Sequence, residues 1–172
     1  MNGFGYIMEH YPRLIGDVGG TNARFAIETA SGCFEASAIY PNKDFAGFAD
    51  VLHHFLSQEE AVLAGSGKLK YAAVAIANPI EGDWIKMTNS DWAFSIESIR
   101  AEFGFLMLND FTALAMSLPS LPKAYTKQCG GKKAGTGRAI GLIGAGTGLG
   151  VSGLIPAGDR WIPLEAEGGH VS

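Results

Sequence analysis

Apolar and polar residues change their period several times along this chain, and each change predicts an element. Leu14, Ile15 and Val18 precede a stretch of small and polar residues, beyond which Ala23, Phe25 and Ile27 alternate with Arg24, Ala26 and Glu28. A period of two is the mark of a strand, so this region predicts a strand, a glycine turn and a second strand. Residues 34–40 predict a third strand, ending at Pro41. The period then lengthens: Phe45, Phe48, Leu52, Phe55 and Leu56 recur every three or four residues behind Asp44. That spacing predicts a helix capped by Asp44, with one apolar face laid on a sheet. Residues 71–77 are almost continuously apolar, as in a strand covered on both faces, and stop at Asn78-Pro79. Residues 82–88 predict a further strand, Trp92 and Phe94 are core anchors, and Ser95 caps a helix that reaches Phe103 and ends at Gly104. A short apolar strand over 105–108 runs into Asn109-Asp110, and Phe111, Leu114, Ala115 and Leu118 then follow at helical spacing up to Pro119.

The first turn is Gly16-Asp17-Val18-Gly19-Gly20-Thr21. The Walker loop and the dinucleotide fingerprint both run from a strand into a helix, whereas here a strand follows. Two readings stay open. Successive N–H groups at Gly19, Gly20 and Thr21 can cradle an anion without a helix terminus, or the glycines supply positive φ for a tight hairpin and nothing more. A second stretch, from Leu142 through Gly146-Thr147-Gly148-Leu149-Gly150 to Ile155, repeats the same order of apolar strand, glycine and threonine loop, and apolar strand. Two such hairpins suggest a duplicated fold with a phosphate-binding turn in each half. The second does not fit a dinucleotide fingerprint, because Leu149 stands at the third glycine position and no helix follows.

Composition narrows the class. The chain has 172 residues, 47% hydrophobic and 17% charged, a balance that can bury a core. Its 24 glycines are about twice the average usage. A formal net charge of −4 gives no basic footprint for nucleic acid. Cys33 and Cys129 form no metal-binding or redox pair and suit a reducing compartment. Residues 1–11 lack the pattern of a signal peptide, and no run reaches the ~20 apolar residues of a membrane span. A cytoplasmic protein with no membrane partner is expected. The Pro- and Gly-rich segment over 119–137 marks a boundary, dividing the chain into an N-terminal extension (1–11), a small α/β domain (12–121) and the start of a larger one (122–172).

Asp110 sits between a strand end and a helix start, where a carboxylate serves as an N-cap or, favoured by the positive helix end, as a catalytic base. Glu167-Gly168-Gly169-His170 allows a bend that points both polar side chains into one cavity, or is an ordinary turn; one histidine and one glutamate are too few for zinc.

The ordered set of Gly16-Asp17-Val18-Gly19-Gly20-Thr21-Asn22-Ala23-Arg24, Ala77-Asn78-Pro79-Ile80, Thr88-Asn89, Trp92-Ala93-Phe94-Ser95, Asn109-Asp110-Phe111-Thr112-Ala113-Leu114-Ala115, Gly146-Thr147-Gly148-Leu149-Gly150 and Glu167-Gly168-Gly169-His170 resembles the bacterial ATP-dependent glucokinases, of the hexokinase branch of the actin-like superfamily. The resemblance implies an α/β fold, with an actin-like or ribonuclease H-like mixed sheet and flanking helices in a small domain, followed by the truncated start of a second α/β domain. It implies phosphoryl transfer from Mg-ATP to the glucose 6-hydroxyl, with Asp110 as the base and Asn109, Asp110, Glu167 and His170 on the sugar. The ATP phosphates would lie on Gly16 to Thr21, Thr147 and Gly148, with Asp17 reaching Mg²⁺ through water. A homodimer is implied as well. Glucokinases of this type continue for another domain's length beyond the Glu-Gly-Gly-His motif, so the 172-residue chain is expected to be inactive alone and to expose apolar surface. Two alternatives stand beside this: a kinase for another sugar, and a non-catalytic sugar-binding or regulatory relative.

Overall fold

A computed structural model describes residues 10–88, 90–131, 135, 137–145 and 149–164; of the expected extension over residues 1–11, residues 1–9 lie outside them. The chain divides into two compact units, Met1–Asn109 and Asp110–Ser172.

The first unit is built on a five-stranded sheet. Strands β1 (Arg13–Val18), β2 (Asn22–Ala30) and β3 (Cys33–Pro41) form an antiparallel meander. After it come helices α1 (Phe48–Leu56) and α2 (Glu59–Leu63), then β4 (Tyr71–Ile76), which pairs parallel to β1. A small hairpin of β5 (Trp84–Lys86) and β6 (Ala93–Ser95) leads to α3 (Ile96–Phe103), and β7 (Leu106–Asn109) pairs parallel to β4. The sheet order is therefore β3-β2-β1-β4-β7.

Alternation decides which face is covered. Leu14 and Val18 of β1, Ala23, Phe25 and Ile27 of β2, and Val74 and Ile76 of β4 are buried with Phe48, Val51, Leu52 and Phe55 of α1. Phe25 stacks on Phe55 with ring centroids 5.4 Å apart, and Phe48 stacks on Phe94 at 5.1 Å. The opposite face holds Ile15, Ala26 and Ile39 along a groove of about 470 Å³, and Ile39 is 64% exposed. That face explains a difference from expectation in β4. Val74 and Ile76 are buried, while Ala72, Ala73 and Ala75 are only half-buried, so the apolar run reflects small alanines rather than equal cover on both sides.

The helix ends show what the capping signals were worth. Ser95 caps α3 by accepting from the Ser98 N–H at 3.0 Å, and Gly104 ends it in the left-handed region at φ 70°, as the sequence predicts. Asp44 does not cap α1. It closes a 3₁₀ turn over Asn42–Asp44, Gly47 occupies the cap position, and the helix starts at Phe48. The helix α2 has too few residues for its periodicity to be read.

The second unit begins with α4 (Asp110–Ser117), followed by exposed 3₁₀ turns at Leu118–Ser120 and Lys123–Tyr125. It contains a three-stranded antiparallel sheet of β8 (Ile140–Ala145), β9 (Leu149–Ala157) and β10 (Arg160–Leu164), in the order β10-β9-β8. Helix α4 packs on β9 and β10. Its buried residues are Thr112 and Ala115, and the Phe111 ring packs on β8 and β9, while Leu114 is 47% exposed; Phe111 and Ala115 of the predicted apolar face thus turn inward and Leu114 does not. Among the described residues, no helix is long and apolar enough to cross a membrane.

Candidate active site

Three strands of the first sheet run parallel, and the register brings their ends to one edge. Val18 lies opposite Ile76, and Ile76 opposite Asn109. The glycine turn after β1, the Asn78-Pro79 loop after β4 and Asn109 at the end of β7 thus leave the sheet together at its carboxyl edge, where ligands of α/β sheets bind. Two hydrogen bonds stitch this edge: Ala77 N–H donates to the Val18 carbonyl at 2.9 Å, and Asn109 Nδ2 donates to the Asn78 carbonyl at 3.2 Å.

The first hairpin pairs Asp17 with Arg24 and Val18 with Ala23. Its residues have unlike tasks. Val18 is fully buried, so only its backbone faces the turn. Gly16 is a packing position, since a Cβ there would stand 3.0 Å from both Phe25 and Val74. Asp17 points to the other face and accepts from Arg24 Nη1 at 2.9 Å, with both side chains about half exposed. Within the turn, Gly19 N–H donates to the Asn22 carbonyl at 3.0 Å. Among the described residues, the Gly20 and Thr21 N–H groups have no such backbone partner.

Asn42 was not legible as a site residue. It follows β3, it is 3% exposed, and it grips the turn at two points. Its backbone N–H donates to the Thr21 carbonyl and its Nδ2 to the Gly19 carbonyl, each at 2.8 Å. The only signal in the sequence is an asparagine after a proline, which reads as a turn residue. Gly20, Thr21, Asn42, Lys43, Thr88 and Asp91 lie along a groove of about 760 Å³.

In the second unit, Asp110 is half-buried at the start of α4, and its Oδ1 accepts the Phe111 N–H at 2.8 Å. The Phe111 ring lies against the β8–β9 hairpin, where Gly144 and Gly150 face each other in register. A Cβ on Gly144 would come within 2.7 Å of that ring, and one on Gly150 within 1.9 Å. These two glycines form a flat seat for an aromatic side chain. Thr147, Gly148, Glu167 and His170 lie outside the described residues.

Further groups with shifted ionisation lie elsewhere in the first unit. Glu28 in β2 is buried, which raises its pKa, but hydrogen bonds from Arg13 and from the Gly32 N–H outweigh that and hold it below the usual value. The Ser95 hydroxyl and the Glu97 N–H lower that of Asp83. Both are structural anchors of strands and of the α3 cap.

A three-strand meander continued by two parallel strands, with a glycine turn at the carboxyl edge, defines an α/β protein of the actin-like ATPase fold. The known proteins agree. A glucokinase crystal structure from an Antarctic psychrotroph superposes with a TM-score of 0.80 at 31% identity, covering 94% of this chain and 51% of that one. A glucokinase of the ROK family from Streptomyces griseus, solved in complex with glucose and AMPPNP, superposes with a TM-score of 0.55 at 18% identity, covering 94% of this chain and 50% of that one, and shares the fold. The bifunctional protein glk of Paraburkholderia xenovorans is 51% identical over 164 residues, covering 94% of this chain and 25% of its own length. The model of the Glucokinase family matches residues 14–172, and the chain belongs to that family. It spans a quarter of this curated relative and about half of the two solved structures.

Proposed function

We propose that this chain supplies the phosphate turns and the catalytic base of an ATP-dependent glucokinase. The observation that carries the reading is the shared carboxyl edge, where the register of Val18, Ile76 and Asn109 gathers the glycine turn, the Asn78 loop and the residue before Asp110. Family membership supports the same reading, and the Streptomyces griseus relative holds glucose and a nucleotide.

In this reading the glucose O6 attacks the γ-phosphorus, the bond from γ-phosphorus to the bridging oxygen breaks with its electron pair leaving on ADP, and the O6 proton passes to the Asp110 carboxylate. Phosphoryl transfer needs orientation and charge stabilisation more than covalent help. Gly20 and Thr21 N–H groups, with Thr147 and Gly148, hold the phosphates. Asn109, Glu167 and His170 hold the sugar with an amide, a carboxylate and an imidazole, a mixture of donors and acceptors suited to hydroxyls. Asp17, a half-exposed carboxylate paired with Arg24, would face Mg²⁺ through water, and the ion brought with the nucleotide would supply neutralisation of phosphate charge. The reading extends to a homodimer in the cytoplasm, the first part of which sedimentation velocity tests.

The experiment is phosphorylation of glucose by a polypeptide of the relatives' length that carries this chain. Glucose-dependent ADP release with a 6-phosphorylated product is expected. Turnover only with another sugar would reassign the substrate, and sugar binding without ADP release would favour a non-catalytic relative.

A further inference from the structure

We infer that Asn42 is a positioning residue for the phosphate turn, aiming the Gly20 N–H outward by holding the carbonyl of Gly19. This rests on the phosphate reading of that turn.

A trans peptide is planar, with its C=O and N–H pointing in opposite directions. The Gly19 carbonyl is drawn toward Asn42 Nδ2 at 2.8 Å, so the N–H of the same peptide, that of Gly20, points away from Asn42. The Asn42 N–H holds the Thr21 carbonyl in the same manner, fixing the following peptide at Asn22. Glycine offers the turn many conformations, and these two contacts select one of them from outside the hairpin.

The amide's other end favours a positioning role over simple filling. Asn42 Oδ1 is buried and has no hydrogen-bond partner among the described residues. A buried polar atom left unpaired is destabilising, and an apolar side chain at this position would avoid it. Turning the amide over would not help, because Gly19 offers a carbonyl, which only accepts. The donor end is therefore what the position retains. Placement follows from the fold: Pro41 pairs with Asn22 at the end of the β2–β3 ladder, which delivers Asn42 beside the turn.

Asn42→Asp is the discriminating variant, since it keeps the shape and replaces the donor by an acceptor facing another acceptor. The measurement is titration of the 172-residue chain with Mg-AMPPNP, and separately with inorganic tripolyphosphate, following backbone amide signals by NMR. The wild-type Gly20 and Thr21 signals are expected to move with both probes. Asn42→Asp should weaken both titrations about tenfold, the scale of one hydrogen bond to a charged group, and Asn42→Ala should weaken them several-fold. Thermal unfolding runs alongside, because a merely structural role would lower the midpoint and leave the affinities of the folded variant unchanged. Wild-type affinity in folded Asn42→Asp, or in Asn42→Ala if the aspartate variant does not fold, overturns the inference while the phosphate reading stands. Wild-type Gly20 and Thr21 signals that ignore both probes overturn the phosphate reading itself, and the inference with it.

Discussion

The two glycine hairpins look alike in sequence and are built differently. In the first, Gly16 lies in the strand against Phe25 and Val74, the turn is gripped by Asn42, and Asp17 leans out to Arg24. In the second, Gly144 and Gly150 stand opposite each other and carry the ring of Phe111, the residue next to Asp110. Three of the glycines that suggest phosphate binding are thus required by close packing. A glycine-rich pattern marks where backbone must approach something closely, and only the structure tells whether that is a side chain or leaves room for a ligand.

The largest test of this contrast is Gly150→Ala. Its Cβ would overlap the Phe111 ring, and overpacking of this kind costs about 1–3 kcal/mol. Chemical denaturation should show that loss, and adding Phe111→Ala should recover part of it, giving a non-additive double-mutant cycle. Additive losses would mean that the ring does not sit in the seat.

A smaller effect separates the hairpins by pH. At the base of the first, Arg13 faces Glu28 across the ladder and the two form an ion pair. The folded state lowers the Glu28 pKa, so its contribution is present above the unfolded value of about 4.5 and is lost as the pH falls through the lower folded value. Among the described residues, the second hairpin has no ion pair. Below pH ~4.5, amide exchange should therefore quicken in β1–β2 more than in β8–β9. Glu28→Gln should remove about 1 kcal/mol at neutral pH and flatten that dependence. An unchanged acid response in this variant would assign it to other carboxylates, Asp83 foremost.

Much of this was legible along the chain. The strand–turn–strand units and the short apolar strand before Asn109 carry clear periods, and the α3 boundaries follow from Ser95 and Gly104, whose local chemistry suffices. The start of α1 was not legible, because Asp44 is a good cap by type but the chain first completes a 3₁₀ turn. On α4 the helical spacing places Phe111 and Ala115 on the inner face, while Leu114 stays exposed and the small Thr112 is buried beside them, a detail that apolar spacing alone does not carry. Asn42 escaped because its partners are 23 and 21 positions away, joined to it only by the register of β2 and β3.

The central claim is that Asp110 is the base, and steady-state kinetics of Asp110→Asn test it most directly, in a polypeptide of the relatives' length carrying this chain. The account predicts that kcat falls by about 10²–10⁴-fold, as expected for loss of a general base, while the KM for glucose stays within a few-fold of the wild-type value. Near-normal turnover in Asp110→Asn would contradict it and return Asp110 to the start of α4 as a structural residue.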